Sequence, residues 1–219
     1  MAQSKTAKQI LTAAEALFAE QGFADTTMRQ ITKAADVNLA AINYHFGSKQ
    51  GLIQSVAEQF LKPLCEYIEQ SLLQRQAIEN ASSIAMDDLL ELLMRALLHV
   101  DQENNHALLM FTRLLELAYM KNQEELRQFI IGRYGKKLSP YIDLIKMQSA
   151  MMEDDEFFWR LHFVMGSVIF TLSNYNMLVE IEKTKFDSDA EIERILHRMV
   201  PVLSAGMQAR GDKLYFSRI

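Results

Sequence analysis

Apolar residues recur at helical spacing along almost the whole 219-residue chain, and this pattern constrains the fold more than any other feature. Near the N-terminus, one helix face is formed by Ile10, Leu11, Ala14, Leu17 and Phe18. Alternating strand patterns are nearly absent, and the sequence has no Asn-Gly or Asp-Gly hairpin signal. The sequence therefore predicts an all-α fold of about nine helices.

Composition removes several other classes of protein. An apolar content of 49% excludes a disordered acidic chain, and 8 Gly with 3 Pro exclude a collagen-like one. The single cysteine, Cys65, excludes an internal disulfide and favours a reducing compartment. No signal-peptide pattern opens the chain, and Arg160 and His162 interrupt its most apolar stretch. We expect a soluble cytoplasmic protein that does not enter a membrane.

Residues that typically begin or end helices are most frequent in the segment from residue 27 to residue 52. Thr27 and Gln30 form a capping-box pattern that begins a short helix at about Met28. A tight turn at about residues 36–38 leads to a second short helix, which Gly47 ends. Ser48 then caps a long helix. Two short helices joined by a tight turn, with the small residues Ala34 and Ala35 at their crossing, predict a helix-turn-helix.

The second short helix has a composition that suits the major groove of DNA. Its predicted outward-facing residues are Asn38, Ala40, Ala41, Asn43, Tyr44 and His45. Asparagine can pair with adenine through two hydrogen bonds, and alanine can contact a thymine methyl group. Tyrosine and histidine can donate to phosphates, and Thr27 and Lys49 lie at predicted helix N-termini, which attract anions. An ordinary helical hairpin with a polar surface is the alternative that these residue types leave open.

Residues 22–52, and most specifically the run Tyr44–Lys49, resemble the DNA-binding domain of the TetR family of bacterial repressors. The resemblance implies a helix-turn-helix domain at residues 1–50 and a helical ligand-binding and dimerisation domain at residues 51–219. It implies phosphate contacts by Thr27, Tyr44, His45 and Lys49, and groove-facing positions at Asn38, Ala40, Ala41 and Asn43. Such a protein is a transcriptional regulator, mainly a repressor of a palindromic operator, and not an enzyme.

A narrower resemblance points to the effector. Residues 37–46, 157–166 and 199–207 are similar to those of the PsrA-type regulators. This resemblance implies release from DNA by a long-chain fatty acid or acyl-CoA and control of fatty-acid metabolism genes. Two alternatives stay open: a TetR-type sensor of another apolar small molecule or drug, and a helical lipid-binding protein or enzyme that does not bind DNA.

The chain after residue 53 is rich in Met, Leu and Phe, which suits a pocket for a flexible apolar ligand. The candidate wall residues are Met110, Phe111, Leu114, Leu117, Phe129, Tyr134, Tyr141, Trp159, Phe163 and Phe170. The candidate cations for a carboxylate or CoA phosphate are Arg113, Arg133, Arg160 and His162. Taken singly, each wall residue is also consistent with plain core, and each cation with a solvated surface charge.

The last two predicted helices, at about residues 154–182 and 189–209, favour an interface between two copies. The first of them is apolar on several faces and must be buried on more than one side. We expect a homodimer through these helices, which would place two recognition helices about 34 Å apart on DNA. The segment from His99 to His106 lacks zinc-ligand spacing, and we expect neither a metal nor a cofactor.

Overall fold

The computed structural model describes residues 4–78, 80, 83–103, 107–188 and 190–210. Within these ranges the fold is all-α, without strands. Ten helices are present there: α1 Lys5–Asp25, α2 Met28–Ala35, α3 Leu39–Phe46, α4 Lys49–Gln76, α5 Met86–Glu103, α6 Ala107–Ala118, α7 Glu124–Gln148, α8 Asp154–Ser173, α9 Tyr175–Phe186 and α10 Ile192–Gln208. The helical fold class predicted from the sequence is thereby confirmed.

The prediction of a single helix at residues 154–182 is wrong. This segment is divided at Asn174 into α8 and α9, which gives the tenth helix. The side-chain amide of Asn174 donates to the Phe170 carbonyl at 2.8 Å, and the Asn174 backbone amide donates to the same carbonyl at 3.1 Å. The backbone of Asn174 (φ −110°, ψ 14°) then leaves helical geometry. At the other boundary, residue 189 lies outside the described residues, and α10 begins at Ile192 with Glu191 as its N-cap.

The chain divides into two compact units. The first comprises residues 1–66 and 99–136, and the second comprises residues 67–98 and 137–219. In the first unit α1 packs against α2, α3 and α6, while in the second unit α8 packs against α9 and α10. Helix α4 begins in the first unit and ends in the second. The domain boundary predicted at residue 50 stays a prediction.

The core of the N-terminal bundle follows the apolar face predicted for α1. Ile10, Leu11, Ala14 and Phe18 are all fully buried. Gly22 produces a break in this helix: its φ of 81° is non-helical, and the helix resumes up to Asp25. Glycine adopts this left-handed backbone conformation without the steric cost that a β-carbon brings.

Caps fix the two short helices at their ends. The Thr27–Gln30 capping box is present, with both reciprocal bonds formed, and it begins α2 at Met28. Gly47, at φ 72°, ends α3, and Ser48 accepts a hydrogen bond from the Gly51 amide in the first turn of α4. The prediction that Ala34 and Ala35 both lie at the helix crossing is wrong for Ala34, which is exposed, whereas Ala35 is buried.

Candidate nucleic-acid interface

Helix α3 is held in the bundle by few side chains, which leaves most of its surface exposed. Ile42 is fully buried, while Phe46 is half-buried at the end of the helix. At the start of α3, the Asn38 Oδ1 atom accepts a hydrogen bond from the Ala41 amide at 2.8 Å. This short helix is therefore defined by a buried isoleucine and a cap at each end, and its other side is available to a ligand.

The residues predicted to face the groove share the exposed side of α3. Asn38, Ala40 and Asn43 are exposed, and Ala41 is half-buried. Leu39, which was not among the predicted residues, is 48% exposed and lies one turn before Asn43. The signal that could have found it is this i, i+4 spacing, which places Leu39 beside Asn43 on the helix surface.

The predicted phosphate contacts lie around this face, and three of them already have partners within the chain. Tyr44 is the most open, at 85% exposure, with its ring edge-on to His45 at 5.0 Å between centroids. The His45 Nε2 atom lies 3.4 Å from the Ser4 hydroxyl. The Thr27 hydroxyl donates to the Gln30 side chain at 2.7 Å. The Lys49 Nζ atom donates to the Phe23 carbonyl at 2.6 Å.

Comparison with known protein families supports the arrangement of α1 to α3. The model for bacterial regulatory proteins of the tetR family matches residues 10–56, which include all of α2 and α3. A second model, for the C-terminal domain of tetracycline repressor-like proteins, matches residues 91–206, more than half of the chain. The chain belongs to the TetR family. Proteins of this family are transcription regulators that bind operator DNA and typically dimerise.

Three relatives show how far the similarity of this TetR-family chain extends. It is 28% identical over 150 residues to the "Probable HTH-type transcriptional regulator YttP" of Bacillus subtilis, covering 64% of this chain and 69% of that protein. It is 29% identical over 94 residues to IcaR of Staphylococcus aureus, a negative transcriptional regulator of the biofilm operon icaADBC, covering 43% of this chain and 47% of that protein. The fatty acid degradation regulator FadR of Bacillus halodurans has the same fold, with a TM-score of 0.61 and 18% identity, covering 96% of this chain and all of that one.

The predicted ligand-binding residues fall into both compact units of this TetR-family chain. Those in the first unit are Met110, Phe111, Arg113, Leu114, Leu117, Phe129, Arg133 and Tyr134. Those in the second unit are Tyr141, Trp159, Arg160, His162, Phe163 and Phe170. The first set is largely interior: Met110, Leu114, Leu117 and Tyr134 are buried, and Phe111, Arg113 and Phe129 are half-buried.

The second set divides between core and surface. Tyr141 is buried, and its hydroxyl donates to the Leu89 carbonyl at 2.7 Å. His162 is half-buried, whereas Trp159, Phe163 and Phe170 are each more than half exposed. Within a single chain these three aromatic rings form a surface, and their role in ligand binding stays a prediction.

Arg160, predicted as a candidate ligand cation, is buried and engaged within the chain. Its Nε atom donates to Glu156 at 2.7 Å, and its Nη1 atom donates to the carbonyls of Gly206, Met207 and Ala209 at the end of α10. Helix C-termini leave such carbonyls without intrahelical partners, and Arg160 supplies them. The guanidinium thus fixes α8 against α10 instead of pointing to solvent.

No described helix combines the length and the apolar character that crossing a bilayer requires. Among the described residues, no three His, Cys, Asp or Glu side chains are placed to hold a metal ion. His106, which ends the segment considered for zinc, lies outside the described residues.

Proposed function

We propose that this TetR-family chain is a ligand-responsive repressor that binds a palindromic operator through α3 and is released by a long-chain fatty acid or acyl-CoA. The observation that carries the proposal is the exposed face of α3, which bears a polar side chain and small apolar ones and is fixed at both ends by caps. An α-helix of this kind fits the major groove, where base edges can be distinguished.

Each exposed group on α3 has a role in reading DNA. The Asn43 amide can donate to and accept from adenine, and Ala40 and Leu39 can contact thymine methyl groups. The phenol of Tyr44 and the imidazole of His45 can donate to phosphates, which fix the helix in register without reading sequence. The Thr27 hydroxyl, at the N-terminus of α2, adds a phosphate contact where helix amides favour an anion.

The second copy that a palindrome requires is proposed to bind on α8 and α10. Aromatic rings are exposed along α8 at Phe158, Trp159, Phe163 and Phe170, and α10 exposes the aliphatic side chain of Val202. A groove of about 210 Å³ lies between the two helices and is lined in part by Phe163, Ser167 and Val202. An apolar face of this extent is characteristic of an interface rather than of a solvated surface.

Two glycines support the same interface. Gly166 in α8 and Gly206 in α10 are exposed, and a β-carbon added at either would meet nothing within 4 Å. A glycine within a helix costs about 1 kcal/mol relative to alanine. Their presence on the exposed face therefore favours close approach of a partner helix at these points.

The effector is proposed to bind in the interior of the first unit. There Met110, Leu114 and Leu117 place apolar side chains on the buried side of α6. The Tyr134 hydroxyl is buried and forms no hydrogen bond of good geometry among the described residues. Burial raises the pKa of Tyr134 to about 12, so the hydroxyl stays a donor at neutral pH. A buried donor of this kind suits the carboxylate or thioester carbonyl of a lipid.

Arg133 supplies a cation on the solvent side of this proposed effector site. Its guanidinium donates to the Glu58 carboxylate at 2.8 Å and is largely exposed. A fatty-acid carboxylate could replace Glu58 on Arg133 while the tail enters the apolar interior. The similarity in fold to a regulator of fatty acid degradation supports the class of effector.

The test is operator release measured by fluorescence anisotropy, with a duplex selected by the wild-type protein from a random-sequence pool. Oleoyl-CoA or oleate should release the wild-type protein at micromolar concentration, and a cationic dye should not. Tyr134→Phe should weaken the response to oleate several-fold and leave operator affinity unchanged, because the hydroxyl does not contact DNA. Release by the dye alone would favour a drug sensor, and failure to select any sequence would contradict operator binding.

A further inference from the structure

Two neighbouring residues of α7, Arg133 and Tyr134, lie beside two residues of α4 within the first unit. Arg133 donates from Nε and from Nη2 to the same oxygen of Glu58, at 3.1 and 2.8 Å. Burial is the main cause that raises the pKa of the Tyr134 hydroxyl, and the Glu58 and Cys65 side chains are near enough to raise it too. Because Glu58 and Cys65 are seven residues apart on one helix, they share a face, and the Tyr134 hydroxyl lies along it.

The Tyr134 hydroxyl is the buried end of this cluster. Tyr134 is 3% exposed, and its ring meets the Phe129 ring edge-on at 6.3 Å between centroids. Its hydroxyl lacks a hydrogen bond of good geometry among the described residues, although the Arg133 guanidinium is near enough to oppose the rise in its pKa. A buried donor and an exposed cation are therefore adjacent, and a carboxylate bound between them would accept hydrogen bonds from both.

The ion pair of Arg133 with Glu58 is exposed enough to be exchanged. Their side chains are 63% and 37% exposed, so water can solvate Glu58 once it is displaced. Exposed pairs of this kind contribute little to stability, since both ions stay hydrated. Arg160 is the contrast, because its side chain is 8% exposed in the pair with Glu156, and breaking a buried pair leaves a charge without solvation. Between these two arginines, Arg133 is the one that can change partners at low cost.

We propose that Glu58 is a specificity-determining residue which occupies Arg133 in the absence of effector and competes with the effector carboxylate for it. A fatty-acid anion must displace Glu58 to reach Arg133, whereas a neutral lipid headgroup carries no charge with which to do so. Glu58 therefore sets the concentration of anion to which the protein responds. This role of Glu58 rests on the effector site proposed above and adds the residue that regulates it.

The experiment compares Glu58→Gln with Glu66→Gln in the full chain. Glu66 also lies on α4, its side chain is 42% exposed, and the Lys62 Nζ atom lies 4.0 Å from it. Both variants thus remove one paired carboxylate from the same helix. Equilibrium binding of radiolabelled oleate and of oleyl alcohol, each delivered from cyclodextrin, is measured on delipidated protein without DNA.

Glu58→Gln should tighten oleate binding about threefold, which is the scale of an exposed ion pair, and should leave oleyl alcohol binding unchanged. Glu66→Gln should change neither. Arg133→Gln should weaken oleate binding, and adding Glu58→Gln to that variant should have no further effect, because no cation is left to compete for. A threefold gain that persists in the double variant would overturn the proposal, since Glu58 would then act by repulsion alone.

The remaining outcomes separate this role of Glu58 from the proposed effector. Equal oleate binding by the wild-type protein and Glu58→Gln would overturn the role of Glu58 and leave the effector class standing. An equal gain in Glu66→Gln would overturn it as well, because any lost carboxylate would then suffice. Failure of the wild-type protein and of Glu58→Gln to bind oleate would overturn both proposals, whereas binding by Glu58→Gln alone would support the competition.

Discussion

Helices α3 and α8 both expose much of their surface, and they do so with different side chains. The exposed side of α3 carries the Asn43 amide and the Tyr44 phenol beside Ala40 and Leu39. The exposed side of α8 carries Trp159 at 56% and Phe163 at 64% exposure. A face of mixed polar and small apolar side chains is tolerated in water and available to DNA, whereas a row of exposed aromatic rings loses stabilisation until something apolar covers it. Exposure alone therefore does not identify the partner, but the residue types on the exposed face do.

The α8 face should be the more sensitive of the two to a single charge. Phe163→Glu should raise the dimer dissociation constant roughly a thousandfold, about 4 kcal/mol, because it places a carboxylate in the proposed apolar contact. Sedimentation velocity over a concentration series measures the change. Ile131→Glu is the matched control, since Ile131 in α7 is also 64% exposed. Equal effects of the two variants would remove the distinction between α8 and an ordinary exposed surface.

The second-largest effect is expected at Arg160, which joins α8 to the end of α10. Arg160→Met leaves three carbonyls at the end of α10 and the Glu156 carboxylate without their buried donor. We expect the free energy of unfolding to fall by about 3 kcal/mol in urea titrations. Arg198→Met breaks an exposed pair with Glu182 and should cost under about 1 kcal/mol. Similar losses for both arginines would show that burial of the Arg160 guanidinium has no special effect.

The α3 face should respond in specificity rather than in stability. Asn43→Ala should reduce discrimination at one operator base pair by about 2 kcal/mol, because the adenine contact is lost. Affinity for duplexes changed at that position should then become equal, with the salt slope unchanged. Competition binding with single-base variants of the operator measures this. Uniform weakening across all sequences would instead place Asn43 on the phosphate backbone.

The smallest effect is expected at the cap that begins α2. Thr27→Ala removes the hydroxyl that accepts a hydrogen bond from the Gln30 backbone amide at 3.2 Å, and should lower the free energy of unfolding by about 1 kcal/mol. Thr27→Ser keeps the hydroxyl and should retain most of the stability. Urea titration of both variants distinguishes them, and a serine variant as unstable as the alanine variant would contradict the capping role.

The helix-turn-helix could be predicted from sequence because its determinants are local. The Thr27–Gln30 box, the break at Gly47 and the Ser48 cap each act over three or four residues, and all are present in the structure. The division of α8 from α9 was missed because it lies in the backbone conformation of one residue, Asn174. Helical periodicity does not report a change at a single residue.

Contacts between distant residues could not be predicted. The assignment of Lys49 to a phosphate, made from its charge and its place at a helix N-terminus, stays a prediction. Its hydrogen-bond acceptor within the chain lies 26 residues earlier, which no local pattern reports. Arg160 was treated as a candidate ligand cation, whereas its partners lie nearly 50 residues later in the sequence. The apolar positions of α8 were visible in the sequence, but helical spacing does not reveal whether the chain itself covers them.

We propose that two copies, joined through α8 and α10, present two α3 helices to one operator. Selection of DNA from a random-sequence pool by the wild-type protein tests this arrangement, because the enriched motif records both recognition and symmetry. We expect an inverted repeat whose half-site centres are about 10 bp, or a multiple of that, apart. Enrichment of a single, unrepeated half-site, or of no motif at all, would contradict it.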